Sequence, residues 1–371
     1  MNNKICCIFN LAPHYRSPIF KLMDNELNCH FYFGDKVDTA IELMDYRDLK
    51  GFQKISKNLK IPRTGFEWQK GVWQLIFKPY KHYIITGTPG SLSNWLLALL
   101  AIPMGKKVYA WTHGMTGNST PAGKFIEKNF YRLCHKILLY GEFSKNIMIT
   151  EGFNEKKLIP IYNSLDYKKQ LRVRKKLKLS KIYVDYFKNE APVIIYVGRI
   201  QKRKKLDLLL QALKDLNSDG TLCNLTIIGS DVDNNEIPKL ISNLNLQSKV
   251  WLYGSCYDEN IIGEFLFNAD VCVSPGPVGL TSLHALTYGC PVITNNDFKS
   301  QMPEYEAIIE KENGDFFELD NILSLKETIK SWINLSINER ERVRKNAYKI
   351  IDEKYNPNYQ LTVLKKTLNQ S

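Results

Sequence analysis

The chain has 371 residues, 44% hydrophobic, 12% aromatic and 24% charged, which excludes a disordered or fibrous chain and exceeds what one core usually serves. Its 51 Lys and Arg against 38 Asp and Glu give a formal charge of +13, suggesting an anionic partner: nucleic acid, a phospholipid surface or a phosphorylated small molecule. The excess is local, with +11 net in residues 1–170, +6 in 171–188 and −4 in 189–371. No zinc-finger, RNP-type or basic-zipper pattern accompanies it, so nucleic acid is the weakest of the three.

The N-terminus Met1-Asn2-Asn3-Lys4 leads straight into a strand-like run with no signal-peptide pattern. The longest apolar stretch, Trp95 to Met104, is too short to span a bilayer. Cys6, Cys7, Cys223, Cys272 and Cys290 lie in apolar contexts without paired C-x-x-C spacing, and read as buried hydrophobes in a reducing compartment. The expected location is cytoplasmic, with a peripheral position on the inner face of the cytoplasmic membrane as an extension of it.

In chain order the first strands are expected at Lys4–Asn10, His30–Phe33, Tyr83–Thr86, Lys107–Thr112 and Lys136–Tyr140. Helical patterns such as Ser93–Ala101 and Gly123–Leu133 intervene, the rhythm of βαβ units in a parallel sheet. Asp35 to Lys81 breaks it and is expected to be irregular surface structure or an inserted helical piece. After Asn163-Ser164-Leu165-Asp166 comes a basic segment, Lys168–Lys181, which reads equally as a solvated helix and as a strip for an anionic membrane. The rhythm then restarts: strands at Pro192–Val197, Asn224–Ile228, Lys249–Tyr253, Asp270–Ser274 and Pro291–Thr294, and a helix at Leu206–Leu216. The expectation is an α/β chain with two Rossmann-like domains of similar size joined near residue 168, their parallel sheets facing an interdomain cleft where chemistry is placed by default.

Four segments carry chemistry. In Val193-Ile-Ile-Tyr-Val-Gly198-Arg199-Ile-Gln-Lys-Arg-Lys204-Lys205, a strand ends in glycine and a basic loop opens a helix, a phosphate-binding arrangement. Asn268-Ala-Asp270-Val-Cys-Val-Ser274-Pro275-Gly276-Pro-Val-Gly279-Leu280-Thr281-Ser282-Leu-His284 reads as strand, Gly/Pro-rich loop and short helix, whose dipole favours an anion. Trp111-Thr-His113-Gly114 closes one N-terminal strand, and Pro13-His14-Tyr15-Arg16-Ser17-Pro18 follows another. Their structural alternatives are a solvated loop, an ordinary βα turn, a turn-capping histidine and a rigid Pro-bounded turn. Asp231-Val-Asp233 lies in an Asn/Asp-rich loop, which turn chemistry explains better than metal binding.

Together these segments resemble retaining glycosyltransferases of family 4, which have the GT-B fold. Gly198-Arg199…Lys204, Leu225-Thr-Ile-Ile-Gly229, Val250-Trp-Leu-Tyr-Gly254, Ala269-Asp270…Pro275 and Gly289-Cys-Pro291-Val292 match that family's motifs in order. Gly152-Phe…Asn163-Ser-Leu-Asp166 matches its hinge signature more loosely. The resemblance implies an acceptor-binding domain over 1–167, a nucleotide-sugar domain over 168–355, and a segment 356–371 whose helix packs back on the first domain. It implies Arg199 and Lys204 on the donor diphosphate, with Gly198, Gly279, Leu280 and Thr281 offering backbone to sugar and phosphates. Gly254 and Ser255 would approach the base, and His284 the ribose. His113, as a catalytic residue, would orient donor sugar or acceptor hydroxyl; His14 and Arg16 would meet the acceptor, Arg16 through a phosphate. Two departures stand out: Gly276 and His284 occupy the positions of the family's two glutamates.

The implied function is a retaining transfer of a hexosyl or N-acetylhexosaminyl group from a nucleotide-diphosphate sugar, in first place a UDP-sugar. The acceptor is a hydroxyl of a glycan or lipid-linked glycan in bacterial surface-polysaccharide synthesis, of the lipopolysaccharide or capsule kind, with no cofactor and no metal. The alternatives are a sugar-nucleotide 2-epimerase of the same fold and a non-catalytic membrane-associated scaffold for glycan enzymes.

Overall fold

The computed structural model describes residues 4–36 and 42–369. Met1–Asn3 and residues 37–41, parts of the N-terminal and Asp35–Lys81 readings, lie outside them. The chain divides into two compact units, Met1–Asp166 with Asn356–Ser371, and Tyr167–Tyr355.

The first unit runs β1 (Ile5–Phe9), α1 (Ser17–Leu27), β2 (Cys29–Gly34), β3 (Phe52–Ser56), β4 (Asn58–Lys60), β5 (Glu67–Gln69), β6 (His82–Thr86), α2 (Leu92–Ala101), β7 (Lys107–Thr112), α3 (Pro121–Leu133), β8 (Lys136–Leu139), α4 (Glu142–Thr150) and β9 (Leu158–Pro160). Seven strands form one sheet in the order β3-β2-β1-β6-β7-β8-β9, every pair parallel. All five residues of β1 are buried, as expected of a central strand covered on both faces.

The stretch expected to be irregular or helical contributes the edge strand β3 and an antiparallel β4–β5 ribbon, with 3₁₀ turns at Tyr46–Asp48 and Trp73–Phe77. Its strands are short, and β3 buries only its last residue fully, so no run of apolar residues announces it.

The second unit runs α5 (Tyr167–Arg174), α6 (Ile182–Phe187), β10 (Val193–Val197), α7 (Leu206–Ser218), β11 (Asn224–Ile228), α8 (Ile237–Asn243), β12 (Val250–Gly254), α9 (Glu259–Asn268), β13 (Val271–Ser274), α10 (Leu280–Thr287), β14 (Val292–Asn295), β15 (Gly314–Phe317), α11 (Ile322–Ile333) and α12 (Ile337–Glu353). Its sheet is parallel throughout in the order β12-β11-β10-β13-β14-β15. On α7 the residues Leu206, Leu209, Leu210, Leu213 and Leu216 recur at helical spacing and are buried. Each such leucine contributes roughly 1.5–3 kcal/mol on leaving water. The final helix α13 (Pro357–Asn369) belongs to the first unit, where it packs on α1 and buries Leu364 and Leu368.

Both sheets are doubly wound. Strand order reverses between β1 and β6 in one unit and between β10 and β13 in the other. A parallel sheet opens a crevice beyond the carboxyl ends of its strands at such a reversal. Those crevices are bounded by the loops after Phe9 and Thr86, and by the loops after Val197 and Ser274.

Candidate functional site

In the second unit, the loop after β10 and the loop after β13 are tied into one structure. Gly198 has φ +144°, a conformation that glycine adopts most readily, and its N–H donates to Ile228 O at 2.9 Å. Thr281 Oγ1 donates to Val197 O at 2.8 Å, so the N-terminus of α10 is pinned beside Gly198. Tyr196 Oη donates to Arg199 O at 2.8 Å and fixes the start of the basic loop, leaving the Arg199 side chain exposed. The Lys204 ammonium donates to Pro277 O, and Gly276 N–H donates to Lys204 O at 3.0 Å. Gly198, Lys204, Gly279, Leu280 and Thr281 are thus gathered in one loop cluster at the carboxyl edge of the sheet. Ser282 N–H donates to Gly279 O at 3.0 Å, and the N–H groups of Leu280 and Thr281 ahead of it have no acceptor within α10, an anion-binding feature.

Lys204 is half-buried. Burial first, then the Arg203 charge and more weakly Arg199, push its ammonium down to about 8, against an opposing pull from Glu304. Glu304 is almost fully buried, and its carbonyl accepts from Ser282 Oγ of α10 at 2.9 Å. Gly254 and Ser255 lie exposed at the end of β12. Gly254 has φ +89° and accepts from Gly229 N–H at 2.8 Å, while a Cβ on Gly229 would lie 1.9 Å from Gly198 O. This close approach aligns the loop ends after β10, β11 and β12.

His284 is one turn further along α10, with Nδ1 at 3.5 Å from Glu259 Oε1. The same carboxylate oxygen accepts from Tyr288 Oη at 2.7 Å and Gln170 Nε2 at 2.9 Å. Glu259, Gln170 and Tyr288 escaped the sequence reading because they come from α9, α5 and the residue that ends α10, and carry no motif. The Asp231-Val-Asp233 pair is consumed locally: Asp231 accepts from the N–H groups of Asp233 and Asn235, and Asp233 from Lys202 N–H at 2.9 Å.

In the first unit, Arg16 and His113 line a cavity of about 310 Å³ with Asn10, Thr86, Trp111 and Tyr140. The Arg16 guanidinium lies 4.2 Å from the Trp111 ring centre and between 5.2 and 5.9 Å from those of Phe20, Phe9 and Tyr140. His113 opens onto this space with its ring 4.7 Å from that of Tyr140. His113 is exposed to solvent, yet the protein atoms crowded around it, then the Arg16 charge, pull its imidazole down to about 4, so the ring is neutral at physiological pH. His14 does not join them: its Nδ1 is 3.3 Å from Glu42 O on an exposed edge.

Residues 184–350 match the glycosyl transferases group 1 family. That segment, just under half of the chain, resembles the group 1 glycosyl transferases. The chain is 28% identical over 269 residues to the Campylobacter jejuni N-acetylgalactosamine-N,N'-diacetylbacillosaminyl-diphospho-undecaprenol 4-alpha-N-acetylgalactosaminyltransferase, covering 68% of this chain and 66% of that one. It is 26% identical over 177 residues to a 41.2 kDa protein of the Klebsiella pneumoniae cps region, covering 46% of each. The chain therefore spans about half to two thirds of the length of these relatives. Among solved structures, Anabaena HepE in complex with UDP superposes with a TM-score of 0.73 at 15% identity, covering 99% of this chain and 100% of that one. The lipopolysaccharide outer core galactosyltransferase WaaB superposes with 0.72 at 15% identity, covering 99% of each. The fold is the expected GT-B pair of Rossmann-like units.

Within this segment the Gly276 departure acquires structural meaning. A Cβ on Gly276 would lie 2.0 Å from Arg203 O and 2.6 Å from Lys204 Cα, so any side chain there displaces the loop that carries Lys204. Lys205 sits in the left-handed region at φ +52°. The motif residue Asp270 serves the scaffold: it accepts from Val193 N–H and pairs with Arg340. The basic segment is partly engaged too, Arg174 binding Asp352 through two hydrogen bonds of 2.8 and 2.9 Å.

Proposed function

We propose that the chain is a glycosyltransferase that moves a sugar from a nucleotide-diphosphate sugar, in first place a UDP-sugar, to a glycan hydroxyl with retention of configuration. The observation that carries this is the one loop cluster that brings Gly198, Lys204 and the start of α10 together, inside a segment that matches the glycosyl transferases group 1 family. A structural neighbour crystallised with UDP supports the choice of donor, and the cps-region and diphospho-undecaprenol relatives support bacterial surface-polysaccharide synthesis.

In this reading Arg199, Lys204 and the first N–H groups of α10 receive the diphosphate, without a metal. As the bond from the anomeric carbon to the phosphate oxygen breaks, the oxygen keeps the electron pair. The fixed cations then oppose more charge than in the ground state, which lowers the barrier as well as tightening binding. The acceptor hydroxyl adds from the face the diphosphate leaves, and its proton passes to a departing phosphate oxygen. Neutral His113 orients the reacting hydroxyl, and His284, steadied by Glu259, accepts from the ribose.

A thermal-shift panel of UDP, GDP, ADP and CMP tests donor binding, followed by transfer assays with sugar donors of the base that binds. UDP is expected to raise Tm and Arg199→Ala to remove the shift. A Tm unmoved by all four nucleotides would overturn the reading.

A further inference from the structure

We propose that the cavity of the first unit binds an anionic group, a phosphate or carboxylate carried by the acceptor beside its reacting hydroxyl. This rests on the transferase reading above and narrows its acceptor to acidic compounds, of the uronic acid or polyol-phosphate kind.

The first observation is an uncompensated buried cation. Arg16 is only 9% exposed, its Nη2 is buried without a hydrogen-bond partner, and it makes no ion pair among the described residues. Its neighbours are the four aromatic rings, whose faces offset part of the cost of removing a guanidinium from water but supply no counter-charge. An apolar side chain would fill the same aromatic box without that cost. The charge therefore serves something that enters.

The second observation is independent. Trp111 Nε1 is also a buried donor without a partner, and Trp111 lines the same cavity. A buried N–H left unpaired costs about as much as a lost hydrogen bond, so two such donors on residues that line one cavity point to an acceptor that arrives with a ligand. Among the described residues no carboxylate lines the cavity: its other polar residues, Asn10, Tyr15, Thr86, Thr88, Thr112 and Tyr140, are uncharged, and His113 is neutral. One forked cation with neutral donors complements a single phosphate or carboxylate in two-pronged geometry. His113 in the same cavity places that anion close to the hydroxyl it orients.

A donor diphosphate shares this chemistry, so the test separates the two sources. Full-length protein, its Arg16→Gln and Trp111→Phe variants would be titrated calorimetrically with glycerol 1-phosphate, methyl glucuronide, methyl glucoside and UDP. Near-UV circular dichroism verifies folding, and Arg16→Lys, which keeps the charge but loses the fork, replaces Arg16→Gln if that variant unfolds. The wild type is expected to prefer at least one anionic probe over methyl glucoside by about tenfold or more, the scale of a charge-assisted hydrogen-bond pair. Arg16→Gln should abolish that preference while UDP binding stays within about twofold, and Trp111→Phe should weaken the anionic probe by about threefold. Equal binding of acidic and neutral probes by the wild type overturns the proposal. So does an Arg16→Gln variant that keeps the preference, or one that loses UDP instead. Failure of the wild type to bind UDP while it retains the anionic preference would sink the transferase reading alone.

Discussion

Raising the pH through the titration of Lys204 should loosen the nucleotide. In the unliganded protein, burial and the neighbouring arginines bring this ammonium down to about 8. A bound diphosphate supplies the opposite charge, so the complex holds the proton to higher pH than the free protein does. Above pH 8 binding then takes up a proton, and affinity falls as pH rises. With the free protein half-titrated at about 8, the UDP dissociation constant should rise about tenfold between pH 7 and 9, or about 1.4 kcal/mol. Unfolding does not explain such a loss. The unfolded chain binds more protons than the native one between the lowered value and the ordinary 10.5, so this group makes folding stability rise over that window. Isothermal titration at pH 7, 8 and 9 measures the effect, with Lys204→Arg as reference because a guanidinium does not titrate there. Parallel pH profiles for wild type and Lys204→Arg would refute the assignment of Lys204 to the diphosphate.

Gly276→Ala should weaken UDP binding by about tenfold, a loss of roughly 1.4 kcal/mol, because its Cβ drives the Arg203–Lys204 backbone outward. Gly276→Glu, though it restores the family's residue, should be worse; a gain in affinity for either would refute the reasoning. Lys205→Gly should raise stability by about 0.5–1 kcal/mol in a thermal melt, since a left-handed lysine costs about 1–2 kcal/mol and its exposed pair with Asp320 returns little. Glu259→Gln should weaken UDP by about threefold and leave inorganic pyrophosphate unaffected if, as proposed, it acts through His284 at the ribose. Arg16→Gln should move the His113 titration upward when followed by NMR, since the Arg16 charge helps hold that ring neutral; the neutral form is lost as pH falls, so any acid limb in kcat due to His113 moves upward too.

The two sheets were legible because their central strands are unbroken apolar runs, and β1, β10, β11 and β13 fall within a residue or two of the runs Lys4–Asn10, Pro192–Val197, Asn224–Ile228 and Asp270–Ser274. Edge elements were not: β3 shows neither a buried run nor clean alternation, and β9 has three residues. At the site, Gly198, Lys204 and Thr281 could be named because strand-turn-helix syntax puts them at the sheet's carboxyl edge. What sequence could not convey is contact between loops distant in the chain. Gly276 reads as a lost glutamate until the Lys204 backbone is found against it. Glu259 reads as an ordinary first-turn carboxylate of α9 until the His284 ring is found 3.5 Å away. His14 and Arg16 are two residues apart, yet a 3₁₀ turn sends one to the surface and the other under the Trp111 ring.

The same geometry explains why a net charge of +13 says little about the chemistry. In a parallel sheet all strands share direction, so residues preceding each strand gather at one edge and residues following it at the other. In the first unit Lys81 precedes β6, Lys107 opens β7, Lys136 opens β8 and Lys157 precedes β9. Their mutual proximity is evident in His82, lowered by burial, then Lys107 and Lys81, and in His135, lowered by burial, then Lys107, Lys136 and Lys157. The opposite edge, after β1, β6 and β7, carries Asn10, Thr86 and neutral His113, with Arg16 as the one cation lining the cavity there among the described residues. Those four lysines and Arg16 are thus on opposite edges of one sheet. A ligand that enters the cavity answers to Arg16 alone, so replacing lysines of the far edge should alter salt-dependent association with large anions while leaving recognition in the cavity intact.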